Sequence, residues 1–209
     1  MSWPDISWRT AAWIATGLAV VVAAGAGLWL WSTLQERRAL EAYAEVMTVM
    51  TTARAPDAPP AARAAVAGAL EGFLARYPGS RRAGQAACEL GNARSDARQW
   101  EAARGAYRIA LAKGAQGTLR TLAQAGIAYT WEAERNFTRA GEAYRAALAG
   151  LKPSDFYYEQ LLIDLGRSQE MAGQKDRAIA TYQRLLKERP GSPRAGDVRG
   201  RLATLGAAS

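Results

Sequence analysis

The chain of 209 residues contains no histidine and one cysteine, Cys88. Without imidazole there is no Ser-His-Asp or Cys-His machinery and no histidine metal site. A single thiol excludes an intrachain disulfide, a C-x-x-C redox pair and a thiolate zinc cluster. Lysine is scarce as well. Of the 27 basic residues 23 are arginine, leaving Lys113, Lys152, Lys175 and Lys187. β-Branched residues thin out after the first thirty positions, while Ala and Arg, both strong helix formers, are abundant. These shortages predict an all-α chain and a non-enzyme, with no catalytic residue, metal site or cofactor assigned. The Ala/Arg/Gly lean is also what a GC-rich genome produces, which gives the net charge of +8 a compositional explanation beside any functional one.

Against these absences stands one long uncharged run. No charged residue occurs from Thr10 to Gln35, and Arg9 and Glu36 bound the run. Its 26 residues make a helix of roughly 39 Å, against a hydrocarbon core of roughly 30 Å. Trp3, Trp8, Trp13, Trp29 and Trp31 mark its two ends as an aromatic belt would. A buried core helix of this length would carry a polar face. A cleaved signal peptide ending near Ala24-Gly25-Ala26 conflicts with the apolar run continuing through Leu28-Trp29-Leu30-Trp31. The preferred reading is a tail over 1–10 and an uncleaved transmembrane signal anchor over 11–34. Ala15, Ala19, Ala23 and Gly27 recur every four residues on one face, the small-xxx-small spacing that admits a partner transmembrane helix. In so Ala-rich a chain, chance produces that spacing as readily. Flanking charge hardly sets orientation, with Arg9 and the amino terminus on one side and Arg37 and Arg38 on the other.

Beyond Glu36 helical periods alternate with short turn signals. The first helix continues through Tyr43 to about Thr52, and a proline-rich break over 55–60 ends it. Further helices are expected over 61–76, 81–96, 99–113, 118–134, 137–150, 156–172, 174–188 and 193–204. Ser80 and Ser192, after Pro-Gly, are placed as N-caps. The helices repeat. Ala103-x3-Tyr107-x2-Ala110, Ala140-x3-Tyr144-x2-Ala147 and Ala178-x3-Tyr182-x2-Leu185 share one spacing at intervals of 37 and 38 residues. A helix carrying Leu90-Gly91, Ile127-Ala128 or Leu165-Gly166 precedes each. A longer echo links residues 73–84 to 185–196. Gly and Ala let paired helices approach closely, the aromatic one turn on fills the gap to the next pair, and no unit buries its apolar face alone.

On these residues the sequence resembles a tetratricopeptide repeat array. Three units match: Leu90, Gly91, Trp100, Ala103, Tyr107, Ala110; then Ile127, Ala128, Trp131, Phe137, Ala140, Tyr144, Ala147; then Leu165, Gly166, Ala178, Tyr182, Pro190. The resemblance implies a right-handed α-solenoid of antiparallel helix pairs. Residues 35–78 would hold the leading helices and a degenerate repeat, and 79–209 the repeats with a C-terminal capping helix. Arg94 and Gln169 stand where the family usually has an aromatic, which implies a less regular array. In overall layout the chain is similar to the YfgM-like membrane-anchored ancillary subunits of the bacterial Sec translocon. Outer-membrane assembly lipoproteins of the same repeat class are similar around Tyr77-Pro78-Gly79-Ser80, but they need a lipidated N-terminal cysteine.

What the resemblance implies for the site is a groove lined by the first helix of each pair. Its positions are Gln85, Cys88 and Asn92, then Ala125, Tyr129 and Glu132, then Ile163, Arg167 and Glu170. Such a groove would hold a protein partner's extended or helical segment. The same residues also read as ordinary polar positions on solvated helices. Cys88 stands where the clamp for C-terminal carboxylates wants Lys, which disfavours that ligand, and it reads better as a buried residue than as a nucleophile. Trp100 and Trp131 read as core, Glu41 and Glu45 as a solvated face, and Asn136-Phe137-Thr138 as a chance sequon. Basic residues are spread along the chain without interleaved exposed aromatics, so nucleic acid is not an expected partner. The expected activity is therefore protein binding by a membrane-anchored scaffold of the bacterial inner membrane, its domain in the periplasm. The alternative is an assembly factor for another envelope complex, such as cytochrome maturation, pilus or secretion machinery. An enzyme with a groove-borne site has no motif behind it. The charge is left to three explanations: lipid headgroups, an acidic partner or codon bias.

Overall fold

The computed structural model describes residues 8–207 apart from Pro56. Trp3 and the rest of the tail as far as residue 7, with the Pro56 step of the proline-rich break, lie outside the described residues. Among the described residues the chain is all α-helical, with nine helices and no strand.

The first helix, α1 (Trp8–Ala53), runs 46 residues without interruption, about 69 Å at the usual rise. It has two halves of different character. From Trp13 to Trp31 the large apolar side chains lie open, Trp13 at 77% exposure. By length and composition this half can cross a membrane; its most apolar stretch has a mean hydropathy of 1.9 and no buried residue. Ala15, Ala19, Ala23 and Gly27 all lie exposed along it. In the second half Ala39, Tyr43, Val46, Met50 and Ala53 are buried. Their steps of four and three residues form one helical stripe. The stripe joins Val66, Leu70 and Phe73 of α2 (Pro60–Arg76) in one core, where the Tyr43 and Phe73 rings meet edge to face at 5.3 Å. One unbroken helix thus leaves the apolar segment and becomes half of the first helix pair.

The remaining helices follow as α3 (Ala83–Asp96) and α4 (Trp100–Ala112), α5 (Gly117–Ala133) and α6 (Phe137–Leu148), α7 (Tyr158–Met171) and α8 (Lys175–Glu188), and a single α9 (Ala195–Thr204). Every helix expected from periodicity is present, with bounds within about two residues, the scatter inherent in helix ends. Each helix packs on its successor in the chain, and α3 also touches α5, the first helix of the next pair. A continuous core of alanines, leucines and tyrosines runs from Ala87 to Leu202.

Tyrosine rings set the spacing inside that core. Tyr107 of α4 lies against Gly91 of α3 and Gly126 of α5, and Tyr182 of α8 lies against Gly166 of α7. A Cβ at any of the three glycines would fall under 3.0 Å from the ring. Tyr144 of α6 is buried at the matching place, with Ala128 where the other two pairs have glycine. The turns inside the three pairs are also one design. Arg98, Arg135 and Gly173 hold φ of +57°, +61° and +72°. The next amide closes each helix by donating to a carbonyl five residues back: Gln99 to Arg94 at 2.9 Å, Asn136 to Trp131 at 2.8 Å and Gln174 to Gln169 at 2.8 Å. This is the Schellman closure, in which a left-handed residue turns the chain out of the helix.

The helix starts differ from expectation at two places. Ser80 and Ser192 do not cap α3 and α9, which begin three residues later. Each hydroxyl instead accepts the amide two residues on, from Arg82 at 3.1 Å and from Arg194 at 3.0 Å. Each then donates to a glutamate on an earlier first helix, Ser80 to Glu36 at 3.4 Å and Ser192 to Glu159 at 2.7 Å. The Pro-Gly turns hold those serines one turn ahead of the helix. The sequence echo of 73–84 in 185–196 is thus an echo of function, since each segment pins a turn between pairs to the helix behind it. Asn136, read as part of a sequon, accepts the Arg139 amide at 3.2 Å and caps α6.

Two glycine substitutions should act in opposite directions. Gly166→Val drives a side chain into the Tyr182 ring and should cost about 1–3 kcal/mol. Gly105→Ala, in α4 with open space around its Cβ, should gain about 0.5–1 kcal/mol from helix propensity. Urea denaturation of the two variants checks both signs.

Candidate functional site

The face built by the first helices, α3, α5, α7 and the terminal α9, carries most of the anticipated binding positions. Asn92 of α3 is exposed and accepts the Tyr107 hydroxyl at 2.8 Å. Tyr129 of α5 is 56% exposed, its ring meeting Trp100 edge-on at 6.3 Å. Gln85 is half-buried and accepts from the Arg82 guanidinium at 3.2 Å. Cys88 must be taken out of the set. It is 4% exposed, within the core, and burial, with the nearby Glu89 carboxylate, pushes its thiol up to about 11. Its small apolar side chain is what lets α3 pack, so neither a partner nor an oxidant meets it.

Glu132, Arg167 and Glu170 are brought together as parts of two linked stations. At the first, the Glu132 carboxylate of α5 accepts the Tyr144 hydroxyl at 2.8 Å and Arg167 Nε of α7 at 3.0 Å, with the second guanidinium nitrogen at 2.8 Å. At the second, Glu170 of α7 accepts the Tyr182 hydroxyl and pairs with Arg201 of α9 at 3.2 Å. Each station joins both helices of one pair to the first helix of the next. In α3 the equivalent position is Ser95, Tyr107 turns to Asn92, and Tyr129 occupies the place of Arg167 in register. The face therefore changes along its length from neutral and aromatic to charged.

Two clefts open beside this face. One of about 610 Å³ lies between α7 and α9, lined by Asp164, Arg167, Glu170, Asp197, Arg201 and Gln160 among others. The other, about 940 Å³, lies between the end of α1, α2 and α3, with Arg54, Glu71, Glu89, Asn92 and Arg94 on its walls. Both mix signs of charge, which suits the alternating donors and acceptors of a peptide better than a single-sign ligand. Within the first cleft, burial raises the Asp164 carboxyl above its ordinary value, against the pull of the Gln160 amide and the Arg167 guanidinium. Among the described residues no cluster of three His, Cys, Asp or Glu is placed to hold a metal.

Sequence reading missed Asp164, Arg201 and a half-buried ion pair. Glu132 and Glu170 lie 38 residues apart, as do Tyr144 and Tyr182. That shared register was the available signal for the stations. Arg201 had none, because α9 falls outside the repeat. The ion pair is Arg104, 5% exposed, with its guanidinium on both oxygens of Glu134 at 2.7 and 3.3 Å. It also stacks over the Trp131 ring at 3.7 Å, where Arg139 stands at 4.6 Å. Trp131 is thus a packing residue, held by stacked arginines rather than by apolar neighbours alone. Gln169, in an aromatic's usual place, is buried and accepts the Thr181 hydroxyl at 2.7 Å.

A family model described as a tetratricopeptide repeat-like domain matches residues 8–195. No curated protein matches the chain.

Because Arg167 is partly exposed, screening limits its pair with Glu132. A double-mutant cycle of Glu132→Ala and Arg167→Ala should return a coupling of about 1 kcal/mol. Alkaline pH provides a second check. Burial foremost, with the neighbouring carboxylates at Tyr144 and Tyr182, raises the hydroxyls of Tyr107, Tyr144 and Tyr182 above the ordinary 10.0. Above that value the unfolded chain releases tyrosine protons that the folded chain retains, so stability should fall as pH rises past it. Denaturation midpoints on either side of this pH measure the effect, and Tyr182→Phe should reduce it.

Proposed function

The chain belongs to the tetratricopeptide repeat-like family, and from that we propose a single-pass, N-terminally anchored scaffold whose repeats bind protein partners. Domains of this family are generally non-catalytic interaction modules. The observation that carries the anchor is α1 itself. Its first half leaves a long band of Trp, Leu, Ile and Val uncovered by the rest of the chain, whereas soluble monomers rarely leave contiguous apolar patches above a few hundred Å². A bilayer covers such a band. The family match begins at residue 8, so the apolar segment lies within the matched domain.

On this reading the helix pairs stack as a right-handed solenoid, and the first-helix face with its two clefts receives the partner. Gln85, Asn92, Tyr129, Glu132, Arg167 and Glu170 supply its polar contacts. Ala15, Ala19, Ala23 and Gly27 offer a close-packing face to a transmembrane helix of the partner complex. The domain projects into the periplasm of a bacterial inner membrane, where the scaffold serves as an ancillary, chaperone-tethering subunit of a membrane complex such as the Sec translocon, whose membrane-anchored subunits its layout resembles. An assembly factor for cytochrome maturation, pilus or secretion machinery is the second reading, supported by the same open face.

Purification from mild detergent separates them. Translocon or periplasmic chaperone components should co-purify, and Ala19→Ile with Ala23→Ile should reduce their recovery. Recovery of another envelope complex instead supports the second reading. Protease added to intact spheroplasts should cut the repeat domain as readily as a periplasmic control. Full protection would place the domain in the cytoplasm.

A further inference from the structure

The end of the repeat domain that adjoins the apolar segment is basic, and the turn that carries two of its arginines is held there by specific contacts. Glu36 is the first charged residue after the run, and its carboxylate accepts the Ser80 hydroxyl at 3.4 Å and the Arg81 amide at 3.3 Å. The turn between α2 and α3, residues 77–82, is thereby fixed at the level where α1 leaves the apolar segment. Arg81 and Arg82 sit on that turn, Arg76 closes α2, and Arg37 and Arg38 follow Glu36 on α1. All five are exposed. Among the described residues, none of the five guanidinium groups has a carboxylate within 4.0 Å, whereas those of Arg94, Arg104, Arg167 and Arg201 deeper in the array do. The Arg82 guanidinium lies 5.9 Å from the Tyr43 ring, two turns along α1 from Glu36. Two turns are about 11 Å, close to a Debye length of roughly 8–10 Å.

The wider charge distribution agrees. Helices joined by short turns run antiparallel, so the turns between pairs share the end at which α1 enters, and the turns within pairs share the far end. Segments 77–82, 113–116, 149–157 and 189–194 hold six cations against Asp155. Segments 54–59, 97–99, 134–136 and 172–174 hold three cations against Asp57 and Glu134. Among the turns, those between pairs therefore carry the larger excess of positive charge.

We propose that the α2–α3 turn is a second membrane contact. Arg81 and Arg82, with Arg37, Arg38 and Arg76, lie on anionic lipid headgroups and hold the repeat domain at a set angle over the bilayer. The proposal rests on the reading of α1 as a membrane anchor. It deepens that reading by making the lipid surface a ligand of the domain and not only of the span. Glu41, exposed one turn beyond Arg37, subtracts one charge from the patch.

The test uses the full chain in lipid nanodiscs, with a fluorophore on Gly79→Cys and an acceptor on the lipid headgroups. A side chain at Gly79 meets nothing within 4 Å, and the native Cys88 is buried and stays unlabelled. Energy transfer should be higher in phosphatidylglycerol mixed with phosphatidylcholine than in phosphatidylcholine alone, and should fall in high salt. Arg81→Gln with Arg82→Gln should weaken the turn's contact about 25-fold, at about fivefold per arginine. Lysine at both positions should restore it, because charge and not fork geometry is at work. Equal transfer in the two lipid compositions, or no change in the glutamine variant, overturns the proposal while leaving the anchor intact. Extraction of the protein from vesicles by alkaline carbonate overturns both.

Discussion

The repeat domain depends on one contact made three times, a tyrosine ring of a second helix pressed against a first helix stripped of bulk at that point. Tyr107 needs glycine on two first helices, Tyr182 needs it on one, and Tyr144 shares the core with Ala128 at the matching position. The ring fixes how closely the helices approach, and its hydroxyl reaches through to the first-helix face. There it donates to Asn92, Glu132 or Glu170. The same side chain therefore sets the packing of a pair and positions one of its polar surface groups. Moving the ring would move the face, which is why the stations lie in register with the core.

At the leading end the problem is different. The α2 helix is rich in alanine and has few large apolar side chains of its own to bury. It is held by the stripe Ala39, Tyr43, Val46, Met50 and Ala53 on the second half of α1. Because that helix continues from the apolar half without a break, the leading pair inherits the direction of the segment before it. Glu36 adds a lock at the junction by bonding the α2–α3 turn. A repeat domain joined this way holds a defined direction relative to the apolar segment rather than hanging on a flexible tether.

Most of the helical layout could be read from the residues. Periodicity placed every helix, and the Ala-x3-Tyr-x2-Ala spacing identified the pairs, because both report burial, which a linear pattern records directly. The candidate binding face was less legible. Asn92 and Tyr129 do lie exposed on it, but Cys88, assigned by register alone, is sealed in the core by the close approach that small residues permit. Ser80 and Ser192 looked like caps because they precede helices. Their Pro-Gly turns hold them a turn early, where they bond to Glu36 and Glu159. Contacts of that kind join residues 30 or more positions apart, and no local pattern announces them. Arg104 is a further case, since an arginine among alanines gives no hint of the indole and carboxylate that surround it.

Whether α1 passes unbroken from the apolar segment into the first helix pair decides between a rigidly mounted array and a tethered one. Hydrogen–deuterium exchange of the full chain in lipid nanodiscs measures this at single stretches of backbone. Continuity predicts slow exchange for every amide from Leu30 through Tyr43, with no fast step between Leu34 and Arg38. Rapid exchange confined to Leu34–Arg38, with protection on either side, would show a hinge there and contradict it.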